Sequence, residues 1–160
     1  MIVVADTSVL LNLCCIGRIE LLESLFHEVV VPVTVADEFN RLASQTKRFS
    51  GLTLPAWIRQ QEPPAVPDII LLAALDPGET AALALAVEIH ADALLVDERR
   101  GHDVAIRIGL KTIGILGILL QAKLSGLIDT LQPLLDQLGS DANFWISPGV
   151  RQRVLELAGE

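Results

Sequence analysis

Short apolar runs rich in β-branched residues alternate with longer helix-like segments along most of this chain. The predicted strands are Ile2–Ala5, Glu28–Val31, Ala93–Val96 and Lys111–Ile115, with a short edge strand at Trp57–Gln60. Strands that are separated by helices pair in parallel, because the crossover helix brings the chain back to the edge from which it started. The alternation therefore predicts an α/β protein with a central parallel sheet flanked by helices.

Helices are predicted between and after these strands. The first covers roughly Val9–Phe26, behind the capping side chains of Asp6-Thr7-Ser8. Others are predicted from Thr34 onward, at about Ile69–Leu75, from Pro77 to about His90, and at about Arg100–Ile108. Residues 44–68 are polar and rich in proline and form a long connection.

The rest of the chain is predicted to be helical, with breaks near Gly126, Pro133 and Gly139 and a final helix after Pro148. With 160 residues, of which 51% are hydrophobic and 20% charged, the chain suits one compact domain. We therefore expect a single domain over residues 1–160, with a helical C-terminal extension at about 129–160.

The formal net charge of −8 limits the possible partners. Affinity for nucleic acid comes mainly from Lys and Arg, so a simple nucleic-acid binder is disfavoured. Two explanations remain open: the acids gather at a site that needs metal ions, or the partner is a basic protein. No basic leader precedes the first strand and no apolar run approaches the about 20 residues of a membrane span, so we expect a soluble, cytoplasmic protein.

Acidic residues stand at the ends of the predicted strands. Asp6 and Asp97 each follow a strand directly, and Glu38 lies early in the helix that follows the second strand. Ligands of doubly wound sheets bind at the carboxyl ends of the strands. The three carboxylates are therefore expected to meet at one edge of the sheet.

Helix phase separates Glu38 from its acidic neighbour. Thr34 and Asp37 have the spacing of a capping box, which predicts that Asp37 is used at the helix end. Glu38 lies three residues after Val35 and four before Leu42, so it is expected on the inner face of the helix. We therefore select Glu38 for the site.

Carboxylates that share a site repel each other unless a positive charge joins them. Mg²⁺ and Mn²⁺ are hard cations that prefer oxygen ligands, and the chain offers no cage of Cys and His. Such ions polarise phosphoryl oxygens and lower the pKa of water. The acidic residues therefore indicate metal-dependent hydrolysis of phosphodiester bonds.

Four segments resemble the motifs of PIN domains, in order and at fitting distances. They are Asp6-Thr7-Ser8-Val9-Leu10-Leu11-Asn12-Leu13, then Pro32-x-x-Val35-x-x-Glu38, then Leu75-Asp76-Pro77-Gly78-Glu79-Thr80-Ala81-Ala82, and Leu94-Leu95-Val96-Asp97-Glu98-Arg99-Arg100-Gly101. The later stretch from Ile113 to Ile128 is similar to a particular prokaryotic subgroup of this family. The resemblance covers nearly the whole chain.

The resemblance implies a PIN-like three-layer α/β/α fold and an endoribonuclease that depends on Mg²⁺ or Mn²⁺. Its acidic quartet, catalytic and metal-binding, would be Asp6, Glu38, Glu79 and Asp97. Thr7 or Ser8 and Asn12 would support the first carboxylate. Prokaryotic relatives include VapC-like toxin ribonucleases, which are often dimeric and are silenced by a small antitoxin protein that fills the acidic site.

The sequence leaves several alternatives open. A capping box begun by Asp76 explains Glu79 almost as well as catalysis does. An aspartyl-phosphate mechanism needs a second Asp two residues after Asp6, where Ser8 stands. A catalytically silent PIN-like module that binds RNA or a partner protein is the non-enzymatic alternative.

Basic residues are concentrated beside two of the proposed ligands. Seven of the twelve Lys and Arg residues follow Glu38 or Asp97 closely, namely Arg41, Lys47, Arg48, Arg99, Arg100, Arg107 and Lys111. A local positive rim suits an RNA groove on an otherwise acidic protein. We expect Arg99, Arg100 and Arg41 to contact the RNA substrate.

Overall fold

A computed structural model describes residues 1–160 and contains one five-stranded sheet in the order β3-β2-β1-β4-β5. All four strand pairs are parallel. The strands are β1 Ile2–Ala5, β2 Glu28–Pro32, β3 Arg59–Gln61, β4 Ala93–Leu95 and β5 Thr112–Ile113. The expected α/β class with a parallel central sheet is confirmed.

Nine α-helices and one 3₁₀ turn connect and follow the strands. The helices are α1 Thr7–Cys15, α2 Glu20–Leu25, α3 Val33–Gln45, α4 Asp68–Leu71, α5 Pro77–Glu88, α6 Arg99–Arg107, α7 Ile115–Leu124, α8 Gln132–Ser140 and α9 Pro148–Leu157. The 3₁₀ turn covers Lys47–Phe49. No helix combines the length and the apolar character that crossing a membrane requires.

The central strand β1 is covered on both faces. Val3, Val4 and Ala5 are fully buried, and β1 pairs with β2 on one side and with β4 on the other. A strand that is buried on both faces needs apolar side chains at every position, which explains why polar and apolar residues do not alternate along β1. The same core cluster of 42 buried residues reaches into α8 and α9 through Leu134, Leu138 and Val154.

The first predicted helix, Val9–Phe26, was wrong in its extent, because α1 and α2 occupy this segment as two separate helices. Gly17 adopts a φ of 66°, directly after the α1 C-cap at Ile16. A left-handed residue at this position ends a helix, and glycine adopts it without steric cost. The polypeptide therefore turns between Cys15 and Glu20.

The capping box predicted for α3 was also wrong. The helix begins at Val33, directly after Pro32, and no side chain caps it. Strand β2 passes straight into the helix, so Thr34 already lies inside the first turn and Asp37 is exposed on the second. The inner face is as expected, since Val35 and Phe39 are fully buried.

In the C-terminal region, Pro133 and Gly139 do not break the chain as predicted. Both lie within α8, and Pro133 stands in its first turn. The first backbone N–H groups of a helix have no intrahelical partner, so proline costs no hydrogen bond there. Gly126, with a φ of 76°, does follow the end of α7.

Phe39 is the test of this packing, because it is among the largest fully buried side chains. We expect Phe39→Ala to lower the free energy of unfolding by about 3–5 kcal/mol, through lost burial and the cavity left behind. Urea unfolding measures the difference. Trp145→Ala is the control, since the Trp145 side chain is 80% exposed; equal losses in both variants would contradict the assigned core.

Candidate functional site

The carboxyl ends of β1 and β4 lie side by side. Ala5 is paired with Leu95, and the backbone N–H of Asp6 donates to the Leu95 carbonyl at 2.9 Å. Asp6 and Asp97 therefore follow neighbouring strand ends. Strand β2 lies on the other side of β1, and the helix that leaves it carries Glu38. The sheet brings the three strand-end acids to one edge, as the sequence predicts.

Asp6 is buried at the start of α1. Its side chain is 5% exposed, and Oδ1 accepts the Thr7 N–H at 2.8 Å, which caps the helix. Burial, with a smaller contribution from the negative charges of Asp76, Glu38 and Glu98, raises the pKa of Asp6 to about 7 against the lowering effect of the Thr7 hydrogen bond. The ordinary pKa of Asp is near 4, so this carboxyl group is poised to change its charge near neutral pH.

Glu79 lies in the first turn of α5, 9% exposed. Asp76 Oδ1 accepts the Glu79 N–H at 2.8 Å and caps the helix. The cap thus uses the backbone of Glu79 and leaves its carboxylate for the site. Burial raises the pKa of Glu79 to about 7, and Asp76 and Asp6 contribute in the same direction. Glu79 therefore belongs with Asp6, although Asp76 is a helix cap as expected.

Glu38 packs closely against the first turn of α5. A Cβ atom placed on Gly78 would collide with Glu38 Oε2, so a larger residue there would force this carboxylate to move. Burial raises the pKa of Glu38, Asp76 raises it further, and Arg41 lowers it. The Thr7 hydroxyl is near enough to lower the pKa of Glu38, but it forms no hydrogen bond of ordinary geometry.

Asp97 has one bonded oxygen and one free oxygen. Oδ1 accepts the N–H of Ile115 at 2.9 Å, at the start of α7, and a Cβ on Gly114 would lie 2.7 Å from it. Oδ2 is buried and has no hydrogen-bond partner. Burial raises the pKa of Asp97 to about 6, and the acid that adds to this effect is Glu98. Glu98 therefore connects Asp97 electrostatically with the other acids.

We call Asp6, Glu38, Asp76, Glu79, Asp97 and Glu98 the acidic cluster. None of them forms a salt bridge with Lys or Arg. The sequence did not point to Glu98 as part of the site, and it indicated Asp76 mainly as a helix cap. Their positions directly after Asp97 and three residues before Glu79 were the available signals, but such neighbours are more often solvated.

The acidic cluster has the donor chemistry of a site for Mg²⁺ or Mn²⁺. It offers carboxylate oxygens alone, its negative charges raise each other's pKa values, and Asp97 Oδ2 is buried without a partner. In the present side-chain positions, however, no three His, Cys, Asp or Glu side chains are close enough to hold one ion. The carboxylates would have to draw together to bind a cation.

The three predicted supporting residues lie on α1 next to the cluster. Thr7 and Asn12 are buried, and Thr7 supports Asp6 through its backbone N–H. The hydroxyl groups of Thr7 and Ser8 are buried without hydrogen-bond partners and therefore do not bind the Asp6 carboxylate. Thr7, Ser8 and Asn12 line one groove together with Glu38.

Of the three arginines proposed to contact RNA, Arg41 lines a cavity with Glu38 and Asp76. Arg99 is almost fully exposed and lies 4.0 Å from Asp103 on the next turn of α6. Arg100 Nη2 donates to the carbonyl of Ala73 at 2.9 Å. Arg100 is therefore engaged in holding the segment before α5.

A family model described as DUF3368: PIN domain matches residues 2–160, so the chain belongs to the PIN-domain family. The expected PIN-like α/β/α fold is confirmed, and the aspartyl-phosphate alternative loses its support. PIN domains are generally nucleases and generally use divalent metal ions. No curated protein sequence matches the chain closely enough to be counted as a relative.

The raised pKa of Asp6 predicts how stability depends on pH. The folded protein retains a proton on Asp6 up to about pH 7, whereas the unfolded chain loses it near 3.8. Protonated Asp6 therefore makes its full contribution to the free energy of unfolding below about pH 4, and this contribution declines as the pH rises to about 7. We expect Asp6→Asn to be more stable than wild type at pH 8, by on the order of 2 kcal/mol, and to gain nothing at pH 4.

Thermal unfolding between pH 4 and pH 8 measures this difference. Asn keeps the oxygen that accepts the Thr7 N–H, so the helix cap is preserved. The control is Asp37→Asn, which removes an exposed carboxylate on α3 and should follow the wild-type profile. An Asp6→Asn profile parallel to that of wild type would show that Asp6 is not destabilised by its surroundings.

Proposed function

We propose that this PIN domain is an endoribonuclease that hydrolyses phosphodiester bonds of RNA and depends on Mg²⁺ or Mn²⁺. The observation that carries the proposal is the acidic cluster itself. Asp6 and Glu79 are buried, Glu38 and Asp97 are half-buried, and all of them lie near the carboxyl ends of adjacent parallel strands with no basic side chain paired to them. A merely structural cluster of this kind would destabilise the fold without compensation.

Asp6, Glu38, Glu79 and Asp97 would hold the metal. A bound divalent cation supplies the positive charge that activates water and polarises the phosphate. Asp97 would offer its unpartnered Oδ2, because its Oδ1 accepts the Ile115 N–H. Asp76 fixes the first turn of α5 and hence the position of Glu79. Arg41, beside Glu38, can bind a phosphate of the RNA strand.

The proposal predicts cleavage of single-stranded RNA by the purified protein in Mn²⁺ or Mg²⁺, and none in a chelator. Asp6→Asn and Asp97→Asn should each lower the cleavage rate by more than ~100-fold, which exceeds the usual loss for an outer-shell partner. Glu23→Gln, which changes an exposed acid on α2, should cleave like wild type.

Gel or mass-spectrometric detection of the products measures cleavage. The protein must first be freed of any bound partner by unfolding and refolding. Absence of divalent-dependent cleavage on RNAs of varied sequence would contradict the proposed activity.

One observation favours the silent module as a second candidate: the carboxylates do not form a three-ligand set as they stand. Titration of Mn²⁺ into wild type and Asp97→Asn, followed by calorimetry, separates the two functions. The nuclease predicts binding to wild type that weakens at least about tenfold in the variant. A silent module predicts no binding to either protein.

We further propose that the protein is the toxin of a toxin–antitoxin pair and forms a homodimer. The net charge of −8 suits a small basic antitoxin, and α4 exposes the apolar residues Ile69 and Leu71, with Leu72 following. These exposed side chains offer a self-association surface. Growth arrest on expression tests the toxin role, and light scattering tests the dimer. A cytoplasmic location stays a prediction.

A further inference from the structure

A groove of about 300 Å³ opens beside the acidic cluster, between α1, α3, the 3₁₀ turn at Lys47–Phe49 and the segment after α8. Its walls include Thr7, Ser8, Asn12, Glu38, Phe49 and Phe144. The volume is at the lower end of the roughly 300–1,000 Å³ found for small-molecule sites. Glu38 lines this groove and belongs to the acidic cluster, so the groove lies directly beside the cluster.

Two hydroxyl groups in the wall of the groove lack hydrogen-bond partners. Thr7 is 3% exposed, and its Oγ1 lies near the Glu38 carboxylate without a hydrogen bond of ordinary geometry; the buried Oγ of Ser8 has no partner either. Buried polar groups in folded proteins are nearly always paired, and an exception needs an explanation. A ligand in the groove that carries both donors and acceptors would supply the missing bonds.

The rest of the wall combines aromatic rings with amides. Phe144 contributes a half-buried ring that can stack on a base, whereas the Phe49 ring is buried and covered by the Arg48 guanidinium. Asn12 and Asn143 contribute the amide groups. A nucleobase matches this lining, because it has a flat face that stacks on aromatic side chains and an edge that forms hydrogen bonds. A bare phosphate would leave the aromatic surface unused.

Position and charge favour the same ligand. At the end of the groove near Glu38, a base would belong to a nucleotide whose phosphate lies at the acidic cluster. Arg48 also lines the groove, with its guanidinium carbon 4.5 Å above the centre of the Phe49 ring. Arg48 is an exposed residue, and its guanidinium can also contact a neighbouring phosphate.

We propose that this groove binds one unstacked nucleobase of the RNA substrate, on the nucleotide adjacent to the cleaved bond. The inference rests on the proposed nuclease function and adds the part of the protein that selects where the RNA is cut. Sequence-specific recognition of RNA uses unstacked bases of this kind.

The test is a scan with single-stranded RNA octamers in which one abasic ribonucleotide occupies each position in turn. Binding is measured by fluorescence anisotropy in Ca²⁺, and the cut position is mapped separately in Mn²⁺. We expect one position next to the cut bond to weaken binding about tenfold or more when its base is missing, and the other positions to matter less.

Phe144→Leu tests the groove itself, because it keeps an apolar side chain and removes the ring. The variant should bind intact RNA about tenfold more weakly than wild type does. It should bind the RNA that lacks the critical base as tightly as it binds intact RNA, because the ring and the base form one and the same contact. Phe144→Tyr should retain the wild-type pattern. Trp145→Leu removes the neighbouring aromatic side chain, which does not line the groove, and should retain it too.

The outcomes separate this inference from the nuclease function. If the RNA is bound and cut but no single missing base weakens binding more than the others, the base site alone is overturned. The base site is also overturned if a folded Phe144→Leu variant still loses as much affinity as wild type when the critical base is missing. A position-specific loss on RNA that is bound and never cut would support the groove and overturn the nuclease. No binding of any RNA would overturn both.

Discussion

Parallel pairing of β1 with both of its neighbours is the constraint on which the rest of the structure depends. β1 is central and buried, and it holds β2 on one side and β4 on the other in the same direction. Their carboxyl ends consequently meet at one edge, where the polypeptide leaves each strand for a helix. Residues far apart in sequence, such as Asp6 and Asp97, become neighbours for that reason alone.

The same arrangement creates an energetic conflict. Burial and like charge both raise the pKa values of Asp6 and Glu79, so folding gathers groups that would separate in water. Large apolar burial around β1 offsets this repulsion. Sites that bind or transform charged ligands often trade stability for function in this way.

The sequence was informative where a pattern is repeated or a residue type has a single role. Residue spacing alone predicted the succession of strands along the chain, the inner face of α3 and the Asp76 cap. Apolar periodicity and helix capping depend only on residues that are close in sequence. The spacing did not predict the extent of α1 or the start of α3. Gly17 ends one helix by its backbone conformation, and Pro32 joins a strand to a helix without a loop.

The acidic residues of the candidate site could be predicted from the sequence, whereas the contacts of the residues around them could not. Asp6, Glu38 and Asp97 follow strands, so topology placed them. Whether Arg100 faces RNA or the Ala73 carbonyl depends on a contact between residues 27 positions apart, which no local pattern records. The groove at Phe144 joins segments from opposite ends of the chain and was likewise beyond local inference.

The glycines beside the carboxylates have a wider consequence. Gly78 lets the first turn of α5 approach Glu38, and Gly114 lets the N-terminus of α7 approach Asp97. The N-termini of α1, α5 and α7 each direct one backbone N–H group at a carboxylate, that of Asp6, Asp76 or Asp97. A helix N-terminus carries a partial positive charge of roughly half an elementary unit. The negative charge is thus partly neutralised by the main chain. A lysine in the same place would fill the space of a cation, whereas these N–H groups engage one oxygen of a carboxylate and, at Asp97, leave the other free.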